Sequence, residues 1–158
     1  MNRAGFNVIV VTNQRSIAKG LLTIAGLEEI HERMSKSLAR SGATIDGIFF
    51  CPHDYEPPCA CRKPAPGMLL EAGRSRGIDL AASWMIGDSD IDIQAGKNAG
   101  CRTVRISAAV EALDVNGNRS RVSIKADLAA SSLLDAVRQI LQWEANAANS
   151  LATDSAAR

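Results

Sequence analysis

The sequence predicts an α/β fold built on a parallel sheet, and three observations predict it. Short apolar, β-branched runs alternate along the chain with segments of helical periodicity. The apolar runs are near-continuous, as expected of strands covered on both faces. Three polar clusters, Thr12 to Lys19, Cys51 to Lys63 and Gly87 to Asp92, each follow one of these runs. That is where parallel sheets collect their function, at the carboxyl ends of their strands.

Phe6 to Val11, broken only by Asn7, reads as the first strand, and Thr12-Asn13-Gln14 ends it with polar turn formers. Leu27, Ile30, Met34 and Leu38 recur at three- and four-residue steps and predict one apolar helix face, closed by Gly42. Ile45 to Phe50 is a second strand. All five prolines fall between 51 and 66, which excludes a regular helix or a central strand there. Pro66 suits the first turn of a helix running to about Gly77. Ser83 to Ile86 is a third strand, followed by an acidic turn and a short helix ending at Gly100. Arg102 to Ile106 is a fourth strand, and 107–125 reads as loop. Leu133, Leu134, Val137, Ile140 and Leu141 mark a last helix. The expected division is a domain over 1–143 and a frayed tail over 144–158.

The 158 residues fit one domain, long enough to bury a core without disulfide staples. Lys and Arg total 18 against 17 Asp and Glu, which gives a nucleic-acid role no electrostatic support. No apolar run approaches the ~20 residues of a membrane span. The N-terminus lacks a cleavage-site pattern and reads better as a buried strand than as a signal peptide. A cytoplasmic location is therefore expected, with the four cysteines present as thiols or metal ligands.

Cys51, His53, Cys59 and Cys61 place three thiols and an imidazole within eleven residues. This is a known structural zinc composition, and four protein ligands leave no open position for catalysis. The competing reading is a Cys-x-Cys redox pair with a bystander histidine. Cys101 is most simply a small buried hydrophobe. Asp88, Asp90 and Asp92 follow the third strand and would suit a hard cation. An EF-hand loop is excluded, because Ile93 and Ala99 stand where it needs Gly and Glu. An acidic helix N-terminus accounts for Asp90, and Asp88, directly after Gly87, is the better ligand candidate. Thr12-Asn13-Gln14 offers a hydroxyl and backbone N–H groups to a phosphate oxygen, though alone it reads as an ordinary turn. Arg62 and Lys63, beside the metal loop, would be preorganised for an anion.

Taken in order, these clusters resemble the haloacid dehalogenase (HAD) superfamily of phosphohydrolases, subfamily IIIA. Thr-Asn-Gln is similar to its second motif, the Lys of Arg-Lys-Pro to its third and Gly-Asp-x-x-x-Asp to its fourth. The Cys-x-His…Cys-x-Cys-Arg-Lys-Pro stretch resembles the heptose bisphosphate and histidinol-phosphate phosphatase branch. The resemblance covers roughly residues 5–106. It implies a Rossmannoid parallel sheet with flanking helices and a metal-pinned loop. Thr12 and Lys63 would stabilise the phosphoryl group; Asn13, Gln14 and Arg62 would contact substrate. Asp88 would help hold Mg²⁺, with Asp92 a candidate just outside the metal's ligands. Cys51, His53, Cys59 and Cys61 would hold structural Zn²⁺. The substrate would be a small phosphorylated sugar or alcohol, with no nucleic acid or membrane as partner.

The chain departs from the family at its start. The first motif, Asp-x-Asp, supplies the nucleophile, and none of the eleven residues before Thr12 is Asp or Glu. The expectation is a shortened phosphatase, from a start codon assigned too late, without useful turnover. The alternative is a non-catalytic zinc-containing remnant that binds phosphate ligands or partners. The missing strand is central in the family, so two apolar edges should be left unpaired or forced together, with self-association through them a hazard. Two smaller departures are Arg15-Ser16 where the family has Ser-Gly, and Lys19 where it tends to have Arg.

Overall fold

The computed structural model describes residues 1–107 and 124–156, with 150–156 given as helix backbone. A short 3-10 turn, Asn2–Ala4, leads into β1 (Ile9–Asn13), α1 (Arg15–Ala18), α2 (Ile24–Arg40), β2 (Gly47–Cys51) and α3 (Gly67–Arg76). β3 (Trp84–Gly87), α4 (Asp90–Asn98), β4 (Arg102–Ile106), β5 (Leu128–Ala130) and α5 (Leu133–Ala156) complete the order. All strand pairing is parallel, with Ile9 opposite Gly47, Trp84 opposite Arg102 and Val104 opposite Leu128.

The strands form two sheets, β1-β2 and β3-β4-β5. Among the described residues no strand pairs with the outer edge of β1 or of β3, so the expected pair of open edges is present. Backbone parity identifies the groups on them. Gln14 N–H donates to the Cys51 carbonyl and Asp46 N–H to that of Val8, so even-numbered residues of β1 face β2. Ile9, Val11 and Asn13 therefore face outward. Arg102 N–H donates to the Ser83 carbonyl, which turns Trp84 and Ile86 toward the open edge of β3.

Each helix has a local cause. Thr23 caps α2 by accepting from Gly26 N–H at 3.0 Å. Leu27 is buried on that helix, whereas Ile30 is 51% exposed, so the predicted apolar face is covered only in part. Pro66 is the N-cap of α3 and not its first helical residue, and Gly77 ends α3 in the left-handed conformation. α4 opens with a capping box between Ser89 and Asp92. Gly96 lets α4 lie against the sheet, since a Cβ there would sit 2.6 Å from that of Met85 and 2.9 Å from the Thr103 methyl.

Val104, Ala130, Ala136 and Ile140 form a buried core, against which Trp84, Ile86, Leu128, Met1 and Phe6 pack. Phe6, expected in the first strand, thus lies ahead of β1 and reaches the second sheet. Asn2 anchors this leading segment by donating to the Thr44 carbonyl at 3.1 Å and to Asp46 at 3.2 Å.

Two further expectations differ. β5, three residues of Leu and Ala, carries no strand signature and was not anticipated. Of the loop expected over 107–125, residues 108–123 lie outside the described residues. The backbone is also helical from 144 to 156, without a change at the expected start of the tail. Alanine, the best helix former, recurs through that stretch. Glu144 is an anchor: its Oε1 accepts from Trp84 Nε1 at 2.9 Å and Arg102 Nη1 at 3.0 Å, while Trp143 meets Trp84 edge-on at 5.7 Å.

Candidate active site

Parallel pairing sends the ends of β1 and β2 the same way, and the three polar clusters follow the ends of β1, β2 and β3. Lys63 joins them. Its Nζ donates to the Val11 carbonyl at 2.9 Å, on the open edge of β1, and pairs with Asp92 Oδ1 at 2.6 Å. The ammonium has three donors, and one of them has no protein partner among the described residues. Both side chains are nearly buried, 12% and 9% exposed. Asn13 fixes the lysine backbone, accepting from Lys63 N–H at 3.1 Å and donating to its carbonyl at 3.2 Å. Both ends of the Asn13 amide are thereby occupied. Gln14 Nε2 donates to Thr12 Oγ1 at 3.1 Å, and the threonine proton has no acceptor among the described residues.

Asp92 is the acidic residue most tightly built into the site. Its Oδ2 accepts from Ser89 N–H at 3.2 Å and Ser89 Oγ at 2.5 Å. Gly87 is required beneath it, since any Cβ there would run into the Asp92 side chain. Burial opposes ionisation of Asp92, but hydrogen bonds from Lys63 and Ser89 outweigh it and hold its pKa below the usual value. Asp90 pairs with Arg105, whose Nη1 also donates to the Asp88 carbonyl at 3.1 Å. That leaves the exposed Asp88 carboxylate without a protein partner among the described residues.

Cys51, His53, Cys59 and Cys61 converge, their ligand atoms all within 4.8 Å of one another. The Cys51–Cys61, Cys51–Cys59 and Cys59–Cys61 sulfur separations are 3.1, 3.5 and 3.5 Å, and His53 Nδ1 lies 3.2 Å from Cys61 Sγ. A tetrahedral ion with ~2.3 Å bonds to sulfur would set its ligands slightly further apart, so a small adjustment admits a metal ion. No disulfide competes, all four cysteines being free. Burial opposes ionisation of Cys59, but Arg62 N–H and bonds from Cys61, Cys51 and His53 bring it down to about 6. Burial and the neighbouring sulfurs push Cys61 up to about 12.

The loop carries a second construction. Arg62 Nη1 donates to the His53 carbonyl at 3.1 Å, and its guanidinium carbon stands 4.3 Å from the Tyr55 ring centre. Arg15 stands 4.2 Å from the same ring and pairs with Asp54 at 2.5 Å. Sequence reasoning passed over Tyr55, Asp54, Ser89 and Arg105. The signal available was Arg15, the departure after Thr-Asn-Gln.

The HAD-hydrolase-like family model matches residues 60–136. The crystal structure of D,D-heptose 1,7-bisphosphate phosphatase from Bordetella bronchiseptica, complexed with magnesium and phosphate, superposes with a TM-score of 0.76 at 35% identity. That superposition covers 89% of this chain and 77% of that one. The chain belongs to the HAD-like hydrolase family. A HAD-like phosphatase structure from Mesorhizobium loti also matches this HAD chain, with a TM-score of 0.63, 37% identity and 69% and 57% coverage. The D-glycero-β-D-manno-heptose-1,7-bisphosphate 7-phosphatase of B. bronchiseptica is 44% identical over 101 residues, 64% of this chain and 56% of the relative. That of Pseudomonas aeruginosa is 40% identical over 106 residues, 67% and 60% respectively. The HAD chain thus aligns with little more than half the length of these curated relatives. No helix among its described residues is long and apolar enough to cross a membrane.

Proposed function

We propose that this chain is the substrate- and metal-holding part of a phosphatase for a small phosphorylated sugar, with heptose 1,7-bisphosphate the leading candidate. The observation that carries this reading is the Lys63 ammonium at the carboxyl ends of the strands, tied to Val11 and Asp92, with a third N–H that has no protein partner among the described residues. That donor and the Thr12 proton would bind phosphoryl oxygens and offset charge as it develops on them. Magnesium keeps several waters and takes one or two carboxylates, so Asp88 fits as one of its ligands. When bound, it would polarise the phosphoryl group as a Lewis acid. Three thiolates and one imidazole suit structural zinc in the metal loop. Free thiols support a reducing compartment, the cytoplasm.

The attacking carboxylate would come from outside these 158 residues, because no Asp or Glu precedes Thr12. The same observation favours a second reading, a non-catalytic module that binds phosphate ligands. Titrating the chain with heptose 1,7-bisphosphate and assaying phosphate release tests the first. The expected outcome is binding that Lys63→Met abolishes, without turnover. Absence of binding overturns both readings. Turnover at ordinary enzymatic rates overturns the external origin of the nucleophile. Joining an N-terminal strand that carries Asp-x-Asp separates the readings, since only the phosphatase gains activity.

A further inference from the structure

Three carboxylates fall within the five residues after Gly87, and the structure engages them differently. Asp92 is held by Lys63 and Ser89. Asp90 is held by Arg105 Nη2 and accepts from Ile124 N–H at 3.1 Å. Asp88 is exposed and is the candidate ligand for a divalent cation. Arg105 does more than engage Asp90. It stands directly opposite Gly87 in the β3–β4 register, beside the residue that leads into Asp88. From there its Nη1 donates to the Asp88 carbonyl at 3.1 Å. One guanidinium thus spans the turn, on a side chain only 17% exposed. Its planar fork presents donors in fixed directions. The carbonyl and the side chain of Asp88 branch from one Cα, and only two soft dihedrals set how they lie. Gly87, paired in β3, restrains the chain on one side of that Cα, and Arg105 restrains it on the other. No motif marks Arg105, which lies seventeen residues past Asp88.

We propose that Arg105 is a positioning residue for the divalent-cation site: it holds the Asp88 turn so that the carboxylate meets the ion from one direction, and it thereby favours Mg²⁺ over Ca²⁺. Mg²⁺ demands near-ideal octahedral geometry, whereas Ca²⁺ accepts flexible, irregular ligand sets. Loosening the turn therefore costs Mg²⁺ more than it costs Ca²⁺. This role rests on the reading of Asp88 as a magnesium ligand and adds the residue that aims it. Two other roles for Arg105 would behave differently. Acting only through its charge, it would repel the ion, and its removal would tighten binding of both cations. Acting only as a tie between β4 and α4, it would leave the ratio of the two affinities unchanged.

Binding of Mn²⁺ to the chain, its metal loop first filled with Zn²⁺, tests this when followed by electron paramagnetic resonance with Mg²⁺ and Ca²⁺ as competitors. Asp88→Asn is expected to abolish Mn²⁺ binding. Arg105→Met should weaken Mg²⁺ about tenfold, the usual effect of losing a partner behind a metal ligand, and Ca²⁺ much less. Tighter binding of both cations by Arg105→Met assigns Arg105 to charge alone and overturns the proposal. Equal weakening of both, or no change in either, overturns it as well. Arg105→Lys keeps the charge, but its compact ammonium cannot span both contacts. Its preference for Mg²⁺ should fall too, and a preference equal to that of the unaltered chain overturns the positioning role. That variant decides the matter if circular dichroism shows Arg105→Met unfolded. In all these cases the Asp88 site itself stands. Failure of the unaltered chain to bind Mn²⁺, or binding that survives Asp88→Asn, overturns the magnesium reading of Asp88 and the positioning role with it.

Discussion

Lys63 and Asp92 form a nearly buried ion pair whose partners hold more than each other. Lys63 also satisfies a carbonyl on the open edge of β1, and Asp92 completes the cap of α4. Removing one member of such a pair leaves an uncompensated charge away from water. Lys63→Met is therefore expected to destabilise the chain by about 3 kcal/mol in urea unfolding. The double variant Lys63→Met with Asp92→Leu should recover much of that loss, and a strictly additive double variant would sink this account. The residue types at the site were legible because strand ends are marked by polar residues after apolar runs. Their division of labour was not. Spacing cannot show that the Asn13 amide is spent on the Lys63 backbone, or that Asp92 takes the lysine while Asp88 stays exposed. Such pairings arise only when segments about thirty to fifty residues apart meet.

At the scale of elements, β4 and β5 are clasped by Asp127. Its Oδ2 accepts from the N–H and the hydroxyl of Thr103, both at 2.7 Å, and Thr103 is wholly buried. The Thr103 hydroxyl bond is the main reason that the Asp127 pKa lies below its usual value. A carboxylate with a depressed folded pKa contributes stability above its unfolded pKa, near 4, and loses it as pH falls through the folded one. Asp127→Asn should accordingly be less stable than the parent at pH 7, with the difference shrinking below about pH 4 in acid titrations of unfolding. A pH-independent difference would assign the clasp to shape alone. Helices were the easiest elements to read, because Leu27 and Gly77 signal face and stop locally. β5 was missed because strand identity in Leu128–Ala130 comes from its neighbour β4 and not from its own composition. The helical backbone of α5 beyond Glu144 is not legible from apolar content, because it rests on alanine propensity and the Glu144 anchor.

For the molecule as a whole, order in the segment between β2 and α3 depends on the cysteine–histidine cluster and on the arginines stacked at Tyr55, with little core of its own. Metal binding to such a loop is also folding of it. Chelation should therefore speed tryptic cleavage after Arg62, while helical circular dichroism changes little, since the core around Val104 and Ile140 lies elsewhere. Equal cleavage with and without metal would show that the loop is held by its protein contacts. The fold class was readable at this scale because alternation and strand-end chemistry agree along the chain. The division into two sheets was anticipated only from the absent acidic motif, since nothing local in β1 or β3 marks an edge.

Those open edges leave a signature that can be read one amide at a time. Within a single strand of β1 or β3, alternate N–H groups point into a partner strand or away from any strand. Hydrogen exchange should therefore follow a two-residue rhythm, with Val10, Thr12 and Met85 protected and Ile9, Val11 and Ile86 exchanging early. Uniform protection along both strands would mean that the edges are closed in solution, by each other or by a second copy of the chain. Loss of the rhythm on adding an apolar peptide, with Ile9, Val11 and Ile86 becoming protected, would show that the gap between the sheets admits another strand.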